Sequence, residues 1–271
     1  MVAPAPAVDL PRIRRTVRLV EWALPVGVLV AMFASFVLVQ LAVLFGGREY
    51  MLRTAGLTAA EYARQGFWQL CLVTVLAQVV IAVTVRKAPT ATRAERVWLR
   101  GLLGPLGVLT LMIVTSALSR MWAYQESYGY TVLRVLVGTS ELWLGVVLLM
   151  VLAAGVRLRA AWLPRAVVGS AVGALLVLAL VNPEAYVAER NVARYGHTGK
   201  IDTYYLGTLS VDAAQELARL PEPERSCALA PMRARLQTYG EDGWLDWNLG
   251  RSAAHALLDG AYVRTDLTGC P

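Results

Sequence analysis

The sequence predicts an all-α protein, a polytopic membrane helix bundle of five transmembrane helices followed by a C-terminal extracytoplasmic helical domain. Three observations carry that expectation. The chain of 271 residues is 57% hydrophobic, too apolar for an ordinary soluble domain. Its apolar residues gather into five runs near the roughly 20 residues that span a bilayer core. The gaps between the runs are short and rich in arginine, and the polar tail carries helix start and stop signals. The expected division is a basic cytoplasmic segment over 1–21, a five-helix membrane domain over 22–181 and an extracytoplasmic helical domain over 182–271.

In order, Met1 to Asp9 is Pro/Ala-rich and reads as linker. Four arginines between Pro11 and Arg18 precede the first run, Trp22 to Phe45, where Trp22 and Pro25 suit an interfacial entry. That run is long and its flank shows no cleavage pattern, so no cleavable signal peptide is evident. Thr58 and Glu61 have capping-box spacing, and Tyr62, Phe67 and Trp68 suit an amphipathic helix lying at the membrane surface. The second span runs from Phe67 to Val85, with Cys71, Thr74 and Gln78 on one face.

Five basic residues from Arg86 to Arg100 lead into a third span over Trp98 to Leu118, whose Gly101, Gly104, Pro105 and Gly107 predict close packing and a kink. Ser119 to Thr131 reads as a short aromatic loop. The fourth span covers Leu133 to Gly155, and the fifth Trp162 to Val181, with Gly169 and Gly173 at helix-packing spacing.

The net charge of +7 hides an asymmetry. Residues 1–181 hold 17 Arg/Lys against 7 Asp/Glu, whereas the tail holds 9 against 12. The basic residues mark alternate gaps, which is a topology signal and argues against nucleic-acid binding. They put the N-terminus inside, and five spans then put the tail outside, in a cell membrane.

The tail predicts helices starting at Pro183, after Ser210, over Glu222 to Leu236 and over Leu245 to Leu258, the last ended by Gly260. Its aromatics, Tyr204, Tyr205, Trp244, Trp247 and Tyr262, suit a small core or a membrane-surface contact. Cys227 and Cys270 are its only cysteines and candidates for a disulfide, whereas Cys71 reads as a small buried hydrophobe.

Chemistry centres on Glu141. It sits roughly 12 Å into the fourth span at about 1.5 Å per residue, on one narrow face with Arg134, Gly138 and Gly145. A carboxylate at that depth costs about 2.5–3.5 kcal/mol, so it should face protein or water. It has three readings: an ion pair with Arg64 or Arg120, a protonated hydrogen-bonded group, or a proton- or ligand-handling group in a cavity. Arg134 is too far up the same helix for a direct bridge.

Glu61, Arg64, Arg120 and Arg134 complete the candidate polar site, with Glu61 and Arg64 readable as a plain interfacial salt bridge. No phosphate-binding loop, dinucleotide fingerprint or nucleophile elbow occurs. His197 and His255 lack metal-ligand spacing, so neither metal nor cofactor is expected.

The segments AEYARQGFWQL (Ala60–Leu70), SELWLG (Ser140–Gly145) and NPEAYVAERNVARY (Asn182–Tyr195), in this order, resemble an uncharacterised membrane family common in actinobacteria, a domain of unknown function. The resemblance covers roughly residues 11–260 and implies the C-terminal half of longer members, which carry further membrane helices upstream. It implies a membrane architecture and brings no catalytic residues.

Two function classes follow. One is a non-enzymatic sensor, scaffold or accessory subunit, with the bilayer and other membrane proteins as partners. The other is a membrane enzyme or transport component acting on a lipid-linked or anionic substrate through Glu141 and outer-leaflet arginines. A wet cavity reaching Glu141 favours the second; a dry, fully bonded Glu141 favours the first.

Overall fold

A computed structural model describes residues 19–45, 59–89, 91–157, 160–239, 248–260 and Cys270. Those residues are helices joined by short turns, with no strand among them. Five helices are long and apolar enough to cross a membrane: α1 (Leu19–Phe45), α2 (Ala59–Lys87), α3 (Arg93–Tyr128), α4 (Val132–Arg157) and α5 (Leu163–Val181). The protein is a membrane helix bundle. The tail folds into α6 (Pro183–Thr198), α7 (Thr203–Gly207), a 3-10 turn at Val211–Ala213, α8 (Ala214–Leu217), α9 (Glu224–Tyr239) and α10 (Leu249–Gly260).

Helix α3 is the hub and packs on α1, α2 and α4, while α5 packs on α4. The bundle core runs from Trp22, Val26 and Phe33 of α1 through Phe67 and Leu70 of α2 to Leu106, Ile113 and Leu148. Trp22 is buried in this core, on a helix that packs against α3.

The starts and stops follow local chemistry. Thr92 caps α3, accepting from the Glu95 amide at 3.2 Å while Glu95 accepts from the Thr92 amide at 2.9 Å. This box was not among the expected ones. The box expected at Thr58 and Glu61 lies outside the described residues.

Two stretches differ from expectation. Helix α2 runs unbroken from Ala59 into the span, so Glu61 to Trp68 continue the spanning helix and form no separate one. Helix α3 continues through the expected aromatic loop to Tyr128. Its 36 residues measure about 54 Å at 1.5 Å per residue, well beyond the roughly 30 Å hydrocarbon core. Trp122, Tyr124 and Tyr128 thus stand on a projecting helical end, which Gly129 stops at φ 85°.

Glycines mark two close approaches of α3 and α4. A Cβ on Gly107 would lie 2.5 Å from Leu152, and one on Gly145 would lie 3.2 Å from Val114. Gly101, Gly104, Gly138, Gly169 and Gly173 face open space, so the packing expected at those positions is not made among the described residues.

The tail core is aliphatic: Val187, Leu206, Leu217, Leu229, Met232 and Leu258 are fully buried. Tyr204 is 82% exposed and Tyr205 half-buried, while Trp244, Trp247 and Tyr262 lie outside the described residues. Asn182 caps α6 and Asp202 caps α7, but the Ser210 side chain caps nothing and donates to Asp212 instead. Arg235 donates to the carbonyls of Gly207, Thr208 and Leu209, satisfying the end of α7. Cys227 and Cys270 are joined by a disulfide, with Cα atoms 5.6 Å apart.

Candidate functional site

The polar face of α2 and the polar stripe of α4 meet. Glu141 is 1% exposed and Thr74 fully buried. The Thr74 hydroxyl donates to Glu141 Oε1 at 2.8 Å, and Cys71 lies beside the carboxylate. One turn further on, Gln78 Nε2 donates to the Leu144 carbonyl at 3.0 Å. Residues 71, 74 and 78 share one face of α2 by helical periodicity, and 141 and 144 share one of α4. The result is a polar seam between two apolar helices. Desolvating these groups unpaired would be costly, so their mutual bonds specify how α2 and α4 register.

The other candidates do not gather around Glu141. Arg120 donates to Gln40 of α1 at 2.6 Å and not to Glu141. Among the described residues no cation lies within ion-pair distance of Glu141. The side chains of Glu61 and Arg64 lie outside the described residues, and so does any pairing by them.

Arg134 lies at the tail-bearing end of the bundle, in the first turn of α4. Its Nη1 donates to the Gly129 carbonyl at 2.7 Å and its Nη2 to the Tyr124 hydroxyl at 3.4 Å. The guanidinium carbon stands 4.5 Å from the centre of the Tyr124 ring, which in turn stacks on Tyr128. Beside it opens a cavity of about 230 Å³ lined by Phe67 and Trp68 of α2, Met121 and Tyr124 of α3, and Arg134 and Val137 of α4. Its walls are mainly apolar, and Glu141 is not part of them.

The turn between α3 and α4 is bonded to the tail. Asn191 of α6 accepts from the Tyr130 amide at 3.0 Å and donates to its carbonyl at 2.9 Å. The Val132 amide donates to the Tyr205 hydroxyl at 2.9 Å. Tyr130, Val132 and Val135 belong to the tail's hydrophobic core.

The Tyr130 hydroxyl donates to Glu126 at 2.6 Å. Burial, and then that bond, push its pKa up to about 12. Burial likewise raises the Tyr205 hydroxyl. Sequence reasoning assigned Asn191 no role and offered Tyr205 as a core or membrane-surface aromatic, not as a hydrogen-bond partner of the turn. The only signal at Asn191 was a polar side chain amid the apolar positions of a tail helix.

No metal-holding group of His, Cys, Asp and Glu occurs among the described residues. A family model described as "Domain of unknown function (DUF4153)" matches residues 2–220, and the chain belongs to that family. No curated protein and no solved structure matches it.

Proposed function

For this member of a family whose domain has no assigned function, we propose a non-enzymatic membrane role as sensor, scaffold or accessory subunit. In this reading the N-terminus is cytoplasmic and the five-helix bundle holds the tail outside, in the cell membrane. Its partners are the bilayer and other membrane proteins. The observation that carries the reading is the shared first turn of α4. Val132 and Val135 there pack against the tail's core, and two turns further along the same helix Glu141 is bonded to α2. A load on the tail therefore reaches the α2–α4 seam through one continuous helix. The arginine asymmetry supports the orientation, and the tail disulfide suits an oxidising compartment.

The competing reading is an enzyme or transport component acting on a lipid-linked or anionic substrate. The cavity at Arg134 favours it; the seat of Glu141, bonded between helices and off the cavity wall, favours the first. A water-soluble carbodiimide with an amine nucleophile, applied to the protein in native membranes, tests the choice. The expected outcome is an unmodified Glu141 in the folded protein and a modified one after denaturation. Modification in the folded protein means that water reaches Glu141 and overturns the non-enzymatic reading.

A further inference from the structure

We infer that the cavity at Arg134 binds the headgroup of an anionic phospholipid, with the phosphate on the guanidinium and the glycerol end of the lipid against the apolar walls. The inference rests on the bundle being embedded in a membrane, and not on the choice between the two functional classes above.

Charge is the first ground. Arg134 is half-buried, yet among the described residues no carboxylate lies within ion-pair distance of it. The acid on the projecting end of α3, Glu126, accepts instead from Tyr130 and from Trp122. A half-buried cation without its counter-charge is costly, and an anion supplies that charge.

Geometry is the second ground. An arginine offers five N–H donors in a planar fork. Gly129 and Tyr124 take one each. Of the donors that remain, the one on Nε has no described partner and is not among the buried atoms, so it is open to the space beside it. The Tyr124 ring under the guanidinium holds the fork flat, leaving its edge for two parallel bonds to phosphate oxygens.

The third ground is the setting. The cavity lies where α2 and α4 enter the membrane on the tail-bearing side, with Trp68 half-exposed beside it and Leu133 on its rim. Free phosphate gains nothing from Phe67, Met121 and Val137, whereas the glycerol and first methylenes of a lipid bury against them. Indole rings at this level are typical of the headgroup zone.

The test uses the full chain in nanodiscs of phosphatidylcholine containing a minor share of phosphatidylglycerol, with retained lipid counted by native mass spectrometry. The expected result is one phosphatidylglycerol held in preference to phosphatidylcholine. Arg134→Gln should lower its affinity at least ten-fold and leave phosphatidylcholine retention unchanged. Leu133→Trp, at an exposed position on the rim, should give the same loss by filling the space while keeping the arginine. It carries the test if Arg134→Gln does not fold.

Millimolar inorganic phosphate should not displace the lipid. Equal retention of the two lipids by the wild type, no loss in either folded variant, or displacement by inorganic phosphate each overturns the assignment.

Discussion

The Thr74 hydroxyl lies 2.8 Å from the Glu141 carboxylate, a bond between side chains 67 positions apart that ties α2 to α4 inside the membrane domain. The described partner, Thr74, is a neutral donor, and the neighbouring Cys71 is uncharged too. Glu141→Gln keeps the acceptor oxygen and strands no described cation. We therefore expect a loss below about 1.5 kcal/mol, as for one neutral hydrogen bond. In a cycle with Thr74→Val, the coupling should be about 0.6 kcal/mol and no more than about 1.7, the range of such bonds in membrane helices. Thermal melts of the detergent-purified proteins read both quantities. A loss of about 3–5 kcal/mol for Glu141→Gln alone would reveal a buried cation paired with it.

The turn at Gly129 supplies a second expectation. At φ 85° a side chain is strained, and a Cβ there would lie 2.8 Å from Asn191 Oδ1, the atom that accepts from the Tyr130 amide. Gly129→Ala should thus cost about 1–3 kcal/mol from backbone strain and weaken the Asn191 clamp besides. Gly199 also has positive φ, at 65°, but open space around it, so Gly199→Ala should be the milder change. Limited proteolysis of the tail compares the two. Faster cleavage in Gly199→Ala would mean that the Asn191 clamp does not hold tail to bundle.

The five spans were legible because each apolar run must cross the hydrocarbon core, a constraint that composition alone expresses. The stripe on α4 and the face on α2 were legible too, since helical periodicity places Cys71, Thr74 and Gln78 together and Glu141 near the same depth. That the two faces meet was not legible. Periodicity orients a side chain about its own helix axis, and only packing decides which neighbour it meets. For a related reason the pairing of Glu141 with Arg120 is not made, while the Arg64 side chain lies outside the described residues. Arg120 is at a similar end of the bundle, but its helix turns it toward Gln40 of α1. The helical end of α3 was missed because aromatic residues at membrane-boundary spacing suit a loop and a projecting helix equally.

Tyr130 makes the joint between bundle and tail sensitive to alkali. Its folded pKa, about 12, lies above the ordinary value of 10. The folded protein thus holds the phenolic proton more tightly than the unfolded chain. Stability from this group is fully present below pH 10 and is lost as pH rises from 10 through about 12. Tyr130→Phe removes the titration, so its melting temperature should fall less steeply over that window than that of the wild type. Parallel slopes for the two proteins would show that the hydroxyl is not held as the structure has it.

The tail disulfide links stability to topology. Cys227 and Cys270 close a loop with a sequence separation of 43. The chain-entropy relation gives about 4 kcal/mol for a loop of that size at 25 °C. Cys227 is itself buried against the tail core, so its replacement also tests packing, whereas Cys270→Ser mainly opens the loop. Melts of Cys270→Ser should show the tail destabilised by up to that amount. Reductant should lower the wild-type transition and leave that of the variant unchanged. The same bond reports sidedness in cells. If the tail is exported, thiol alkylation under denaturing, non-reducing conditions should modify Cys71 alone, and the two tail cysteines should react only after reduction. A reporter active only in the cytoplasm, fused after Pro271, should then be silent. Alkylation of Cys227 and Cys270 without reduction, together with an active reporter, would place the tail in the cytoplasm and reverse the orientation proposed for the bundle.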